Sequence, residues 1–425
     1  MTTGPLLPED EGRGEGAAQR LAGLQRAGGL VTALVTTVLA FVIGGLVVLV
    51  TTGSNPLSTY RAIFDGTGLA WFFHVGSYSV GVPIVGGRMW FPWNTNSFQS
   101  HEAYNLQNTL VLTTSLILTG LAVAFAFRCG LFNIGGQGQY MVGAIAGVWV
   151  GSSLPGIPGV LHVLVALAAG CLAGAFLAGI AGFLKATVGA HEVIVTIMLN
   201  WIVFWVGSYA FGLDGPLHNT TPGQQDVPVS NDVLPSARLH VFWGNPLLQG
   251  LHVGFFIAIS ALAVYWLILS RTTLGYQVRA VGYNPEAARY SGISVARNYF
   301  LAMAIAGVFA GLAGAIDVLG WQFRIAVNDV QTTTIGFIGI AVALLGRNRA
   351  VGIGFAALLF GALLTGTSTR NLDPSVFRPD LADNLTLLIQ GLVVLFVGAD
   401  VLVLYVWNAR KKLRRERQQL AEVAT

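Results

Sequence analysis

Four amide side chains stand in otherwise apolar sequence, and their chemistry suits the binding of a polar solute. Asn133, Gln137 and Gln139 fall within one glycine-rich stretch, and Asn200 lies near the middle of a later apolar run. An amide can both donate and accept hydrogen bonds, as a polar solute requires. Because such groups are poorly satisfied in hydrocarbon, we predict that they line a polar pathway. The alternatives are a water-solvated helix start for the stretch and a helix–helix contact for Asn200.

A second group of residues predicts a short helix that could push against a partner. Asn284 is a suitable N-cap, Pro285 suits the first helical position, and Gly292 can end the helix in the left-handed conformation. Glu286 places negative charge in the first turn. The surrounding segment 271–297 is basic, which predicts that it faces the cytoplasm. Its arginines there are Arg271, Arg279, Arg289 and Arg297. The alternative is an ordinary capped helix in a loop.

Other residues capable of chemistry are poorly placed for it. His191 and Glu192 are adjacent, but no second histidine follows at the spacing of a zinc-binding helix, so we predict no metal site. Ser368 gives a weak match to a hydrolase motif without a suitable histidine, so no catalytic residue is expected. Asp317 lies near the outer end of an apolar run, where we predict a solvated structural carboxylate.

The positions of the lysines exclude ATP binding through a Walker loop. A Walker loop needs a lysine directly after a glycine, because that lysine reaches the phosphates of ATP. The chain has Lys185, Lys411 and Lys412, and none of them follows a glycine. The chain is therefore not expected to bind ATP or another cofactor itself, and a partner would have to supply the energy.

The composition predicts a membrane protein. Hydrophobic residues make up 54% of the 425 positions, charged residues make up 10%, and the mean hydropathy is +0.67. A soluble domain carries about 25% charged residues. Several apolar runs exceed the roughly 18 residues of a spanning helix. We therefore predict an all-α fold, a polytopic transmembrane helical bundle of about ten spans.

The chain divides into three parts. Residues 1–28 are predicted to be an N-terminal tail, residues 29–406 the transmembrane domain, and residues 407–425 a basic C-terminal tail. The basic tail lies beside a span, so it does not indicate nucleic-acid binding. Lysine and arginine cluster on one predicted side of the membrane, which places both termini in the cytoplasm. The clusters are at 271–297, 347–349 and 410–417.

Several of the predicted spans have features that bear on packing. The second span is expected at about 109–127, after an aromatic-rich outer segment at 51–108. The run 332–345 is short for a roughly 30 Å hydrocarbon core, so it is either a tight span or a broken one. In the seventh span, Gly307 and Gly311 form a small face suited to helix packing. The last span is expected at about 385–406.

Four motifs together resemble the permease subunits of ABC uptake transporters, in the branch that imports simple sugars, branched-chain amino acids and nucleosides. The motifs are LFNIGGQGQ at 131–139, EVIVTIMLNW at 192–201, GYNPEAARYSGI at 282–293 and GFIGIAVALLGRNR at 336–349. The chain looks closest to nucleoside-type permeases that work with a basic-membrane-protein-like lipoprotein receptor. It departs from many relatives in having Gly136-Gln137 where they have Ala-Glu, and its outer segment is longer than usual.

The resemblance implies a function and a set of partners. It implies a bacterial plasma-membrane subunit that translocates a small polar solute, with nucleosides first and ribose-like sugars as the alternative. The implied partners are an ABC ATPase, a second permease subunit, like or unlike this one, and an extracellular substrate-binding lipoprotein. The implied ATPase contacts are Asn284, Pro285, Glu286, Ala287, Ala288, Gly292 and Ile293. A self-powered secondary transporter or channel remains open as a function of another class.

Overall fold

Nearly every regular element of the protein is a helix. The computed structural model describes residues 37–50, 55–69, 101–223, 225–245 and 249–368, with residues 387–388, 391–392 and 395. Its helices there are α1 (Thr37–Val50), α2 (Pro56–Gly66), α3 (His101–Arg128), α4 (Gly136–Ser153), α5 (Gly159–Val188), α6 (Glu192–Phe211), α7 (Gly254–Arg271), α8 (Thr273–Tyr283), α9 (Pro285–Tyr290), α10 (Val295–Asp317), α11 (Val327–Thr332), α12 (Ile335–Leu345) and α13 (Ala350–Gly366). A π-helical turn, Val318–Gln322, continues α10. Strands β1 (Val241–Trp243) and β2 (Leu251–His252) form an antiparallel hairpin.

Six of the described helical stretches are long and apolar enough to cross a membrane. They are Ala103–Arg128, Gly159–Val188, Glu192–Phe211, Gly254–Arg271, Val295–Gln322 and Val327–Leu345, and α1 and α13 are apolar but shorter. These helices confirm the predicted all-α, multi-pass class. They do not establish a count of about ten spans. Most of the predicted span 385–406, the aromatic part of the outer segment and both predicted tails lie outside the described residues.

Helix α3 runs between the two ends of the bundle. It begins beside β2 and ends beside Gly282, at the segment that carries α9. We call these the hairpin end and the α9 end. Helix α3 starts at His101 rather than near residue 109, so the last residues of the predicted outer segment form about two of its turns.

Glycines join α4, α5 and α10 through main-chain contact. Gly174 on α5 and Gly307 on α10 lie so close that a Cβ on either would overlap the main-chain oxygen of the other. A Cβ on Gly311 would likewise overlap the main-chain oxygen of Gly170 on α5, and a Cβ on Gly143 of α4 would overlap the main-chain oxygen of Gly311. Small residues allow this approach in membrane helices, so the predicted packing face at Gly307 and Gly311 is confirmed. We call these five residues the glycine core.

Asp317 is buried, and the prediction of a solvated carboxylate is wrong. The residue is 2% exposed. Its carboxylate accepts hydrogen bonds from the hydroxyls of Ser115 on α3 and Tyr140 on α4, the latter at 2.6 Å. The indole of Trp321 donates a third bond at 3.2 Å. These donors compensate a charge that would be costly to bury alone, and they join α3, α4 and α10 near the hairpin end.

The helical stretch that contains the predicted run 332–345 is broken near the start of that run. Helix α11 ends at Thr332 and α12 begins at Ile335, and Thr333 and Thr334 between them are not helical. A break frees backbone N–H and C=O groups, which must find other partners within a membrane. The groups that bond the freed N–H and C=O therefore hold the break in place.

The loop that follows α6 packs on the hairpin end through residues 230–239. Main-chain N–H groups of this loop donate to carbonyl oxygens in the stretch that follows α10. The pairs are Ser230 to Ile325, Val233 to Phe323 and Leu239 to Leu319, at 2.7–2.8 Å. The loop thereby satisfies backbone groups at the point where the helix has ended.

Candidate functional site

A cavity of about 220 Å³ lies between α4, α6, α11 and α12. It is lined by Gln137, Gly138, Met141, Ile197, Asn200, Trp201, Val203, Phe204, Val330, Gln331, Thr333 and Phe337. The lining includes the break between α11 and α12. Interrupted helices beside a cavity are a recurrent arrangement in membrane transporters, because unwound backbone is tolerated where it lines a polar space.

Gln137 joins α4 to both sides of the break. Its Nε2 donates to the carbonyl oxygen of Thr333 at 2.8 Å, and its Oε1 accepts from the main-chain N–H of Gly336 at 2.9 Å. One amide therefore replaces two backbone partners that the break removes. Gly336 permits this contact, because a Cβ there would overlap the backbone of Gln137.

Asn200 lines the cavity and also bonds a neighbouring helix. Its Oδ1 accepts from the main-chain N–H of Gly138 at 2.8 Å, and its Nδ2 donates to the carbonyl oxygen of Ile134 at 3.0 Å. The helix–helix contact predicted for Asn200 is therefore present, and its role in a solute pathway stays a prediction. Asn200 fixes α6 against the start of α4 and brings the aromatic residues that follow it to the cavity.

Asn133 and Gln139 bond each other behind the cavity wall. Each side-chain amide donates to the carbonyl oxygen of the other at 2.9 Å. The two residues are 0% and 1% exposed. Of the four amides predicted to line a pathway, Gln137 and Asn200 lie at the cavity, whereas Asn133 and Gln139 stabilise the start of α4.

Three aromatic rings complete the cavity, and the sequence analysis did not identify them. Trp201 is 54% exposed and Phe337 is 43% exposed. Phe204 packs edge-on against Trp201, with ring centroids 5.3 Å apart. The available signal was an aromatic pair at i and i+3 directly after Asn200, which places both rings on one helix face. Flat apolar surfaces beside amides suit a flat solute with polar edges.

The predicted short helix is α9, and its caps are confirmed. Oδ1 of Asn284 accepts from the main-chain N–H groups of Glu286 and Ala287 at 3.0 and 3.1 Å. Pro285 occupies the first helical position, and Gly292 has φ +78°. The local sequence therefore determines both ends of this helix.

One side of α9 is buried against the bundle, and the rest of its surface is exposed. Ala288 is 4% exposed and attaches the helix to the bundle, and its predicted part in coupling to an ATPase stays a prediction. Asn284, Glu286, Ala287 and Gly292 are exposed, and Pro285 and Ile293 are partly buried. Tyr283 and Tyr290 flank the helix and are 88% and 92% exposed. A rigid, protruding helix with a tyrosine at each end suits a protein contact.

The described residues combine several helices able to cross a membrane with an interrupted helix beside a cavity, an arrangement that recurs in membrane transporters. Residues 105–398 match the family described as branched-chain amino acid transport system / permease component, and the chain belongs to this family. The resemblance to ABC uptake permeases is therefore confirmed. Members of the family are transporter subunits rather than enzymes.

Individual relatives are ABC permeases of nucleosides and a sugar. The chain is 35% identical over 395 residues to the guanosine ABC transporter permease protein NupP of Bacillus subtilis (strain 168), which is 92% of this chain and 99% of NupP. It is 34% identical over 308 residues, 71% of this chain and 81% of the relative, to the nucleoside permease protein NupB of Lactococcus lactis subsp. cremoris. The glucose permease protein TsgB13 of Haloferax volcanii is 33% identical over 301 residues, 69% of this chain and 76% of TsgB13. No solved structure matches the chain.

Proposed function

We propose that this chain is the permease subunit of an ABC importer for nucleosides and that a separate ATPase subunit drives it. The observation that carries the proposal is the cavity in which Trp201, Phe204 and Phe337 lie beside the break between α11 and α12. Relatives named for guanosine and for nucleosides support this substrate class. Simple sugars are the second candidate, favoured by the relative named for glucose.

The aromatic lining favours a nucleoside over a sugar. A nucleobase stacks on an aromatic ring, which contributes about 1–3 kcal/mol per base. Gln331 and Thr333 supply polar groups at the cavity, while the amides of Gln137 and Asn200 are engaged with backbone and hold its shape. A sugar presents hydroxyls on all sides and would require a more polar lining than this one.

The shape of the cavity supports a second permease subunit. About 220 Å³ is less than the roughly 300–1,000 Å³ of a typical ligand pocket, and Trp201 is half exposed at the edge. Apolar side chains continue along the same exposed helix, among them Met198, Trp205 and Tyr209. Bacillus subtilis also has a second guanosine permease protein, NupQ, that is 29% identical to this chain over 266 residues. We therefore propose a pair of permeases, unlike one another, with the solute between them.

Helix α9 is the proposed contact of the ATPase. The chain lacks a Walker lysine, and α9 presents an exposed, capped surface at Asn284, Glu286 and Ala287. In this arrangement the α9 end faces the cytoplasm, as both termini do, and a lipoprotein receptor delivers the nucleoside at the hairpin end. ATP-driven movement of α9 would then change which side of the bacterial plasma membrane the cavity faces.

Competition in an uptake assay tests the substrate class. In proteoliposomes that hold this chain with its partner permease, ATPase and receptor, we expect guanosine uptake that requires ATP and is competed by other nucleosides. Ribose and branched-chain amino acids should not compete. Competition by ribose alone would assign a sugar instead. Uptake by this chain without an ATPase would show a self-powered transporter.

A matched pair of tryptophan variants tests the cavity. Trp201→Ala should raise the guanosine concentration for half-maximal uptake about tenfold, because a stacking surface is lost. Trp205→Ala is the control, since Trp205 is 64% exposed on the same helix and lies outside the cavity lining. An equal effect of the two variants would remove this cavity from the pathway.

A further inference from the structure

The connection between α3 and α4 contacts several other segments at the α9 end. It begins at Arg128, turns at Gly130 with φ +75°, and reaches the start of α4 at Gly136. We call residues 128–135 the α3–α4 connection. Its contacts on one side lead to α9, and its contacts on the other side lead to the cavity.

Gly282 brings the main chain of α8 onto this connection. A Cβ at Gly282 would overlap the carbonyl oxygen of Arg128, and a Cβ at Gly130 would lie 3.4 Å from the Cα of Gly282. Gly282 is two residues before Asn284, which both ends α8 and caps α9. Helix α9 therefore begins three residues after the contact between the main chains of Gly282 and Arg128.

Arg128 fastens the same connection to the loop between α12 and α13. Its Nε and Nη2 donate to the carbonyl oxygen of Asn348 at 3.2 and 2.7 Å. The hydroxyl of Tyr265 on α7 donates to the same oxygen at 2.9 Å. Asn348 has φ +53°, so its carbonyl is presented by an unusual backbone conformation that the surrounding contacts maintain.

The far end of the connection is part of the cavity wall. The carbonyl oxygen of Ile134 accepts from Asn200, which lines the cavity, and Asn133 is tied to Gln139 in α4. Gln137 follows in the first turn of α4 and bonds the break between α11 and α12. A shift of residues 128–135 would therefore move α4, α6 and the break together.

We propose that the α3–α4 connection transmits movement of α8 and α9 to the cavity wall, with Gly282 and Arg128 as positioning residues. The proposal rests on the proposed function. A contact between two main chains has no side-chain rotamers that could absorb a displacement, and closely packed protein interiors are poorly compressible. Arg128 extends the effect to α12, the other side of the break, through the carbonyl of Asn348.

The Gly282→Ala variant tests this transmission in the complete transporter. We expect uptake per ATP hydrolysed to fall about tenfold while ATP hydrolysis and assembly of the complex are retained. A role in folding alone would instead lower assembly, hydrolysis and uptake together. Gly354→Ala is the matched control, because its Cβ would meet only the end of the Leu262 side chain, at 3.2 Å.

Variants of Arg128 decide the matter if Gly282→Ala does not assemble. Arg128→Gln should lower uptake per ATP in the same way, and Arg128→Lys should recover part of it because lysine keeps a charged donor. An unchanged ratio in an assembled Gly282→Ala complex, or in the Arg128→Gln complex where Gly282→Ala fails, overturns the transmission proposal. Absence of ATP-driven uptake in the unaltered transporter would instead contradict the proposed function, and the inference would fall with it.

Discussion

The α5–α10 interface and the wall formed by α6 and α11 are both apolar, yet they pack in opposite ways. At the interface, main chains touch at Gly174 and Gly307 with no side chain between them. At the wall, Trp201 and Phe204 project into a cavity, and the backbone opposite is interrupted. The first arrangement maximises close contact between helices, and the second leaves space for a ligand.

The difference indicates which part of the molecule is fixed and which part can move. The glycine core contains no side chains that could adopt other rotamers, so its helices cannot slide without separating. The wall is held by a few amide-to-backbone hydrogen bonds from Gln137 and Asn200, which can exchange partners. We infer that α5 and α10 act as a frame against which the wall and the start of α4 change position.

Adding one methyl group to the glycine core should have the largest effect. In Gly311→Ala the new Cβ would overlap the main-chain oxygen of Gly170, so we expect a loss of stability of about 3 kcal/mol or more and little folded protein. Thermal unfolding in detergent would measure it. Gly179→Ala is the control, since its Cβ would lie 3.3 Å from the Phe300 ring. Equal tolerance of both variants would contradict a rigid core.

Removing the buried carboxylate should be the next most damaging change. Asp317→Ala leaves the donors of Ser115, Tyr140 and Trp321 without their acceptor, and we expect a loss of about 2–3 kcal/mol. Asp317→Asn keeps an acceptor oxygen and should lose less. The unfolding midpoints of the two variants provide the comparison. An Ala variant as stable as the parent protein would show that these hydrogen bonds do not hold the frame.

Variants of two glutamines distinguish a loss of uptake caused at the cavity wall from a loss of stability in the surrounding helices. Gln137→Leu removes both bonds at the break, so uptake should fall about tenfold with a stability loss of about 1–2 kcal/mol. Gln139→Leu breaks the pair with Asn133 behind the wall and should cost similar stability with less loss of uptake. Uptake and unfolding would be measured on the same preparations. If uptake fell in proportion to stability in both glutamine variants, the cavity wall would have no separate role in uptake.

The smallest expected effect is a pH dependence at the hairpin end. His252 lies against Gly320 in the π-helical turn, and burial lowers its pKa from 6.5 to about 4. Because the unfolded chain then binds a proton more readily, stability should fall as the pH drops from about 6.5 towards 4. The loss by pH 5.5 should be about 1 kcal/mol. His252→Gln should show a smaller fall in unfolding midpoint between pH 7.5 and 5.5. Equal falls in the unfolding midpoints of the parent protein and of His252→Gln would show that the imidazole of His252 is solvated.

Local signals predicted the parts of the structure that local interactions determine. The caps of α9 were predictable because Asn284, Pro285 and Gly292 lie within nine positions of one another. The packing of α10 was predictable because Gly307 and Gly311 repeat at the spacing of one helix face. The permease motifs carried the class of protein, and the family match confirms it.

Residues whose partners lie far along the chain were not predictable in the same way. Asp317 stands near the end of a span, which suggested water, but Ser115 and Tyr140 are 202 and 177 positions away. The break between α11 and α12 depends on Gln137, which is 196 positions from Thr333. The four amides looked equivalent in sequence, and only the packing separates those at the cavity from the Asn133–Gln139 pair.

The contacts of the glycine core also limit how this protein can diverge. A main-chain oxygen pressed against a Cα hydrogen leaves no smaller residue to substitute and no room for a larger one. Under the proposed function, exchange of the aromatic side chains on α6 and α12 would alter the cargo, whereas no exchange at Gly174, Gly307 or Gly311 would keep the helices in contact.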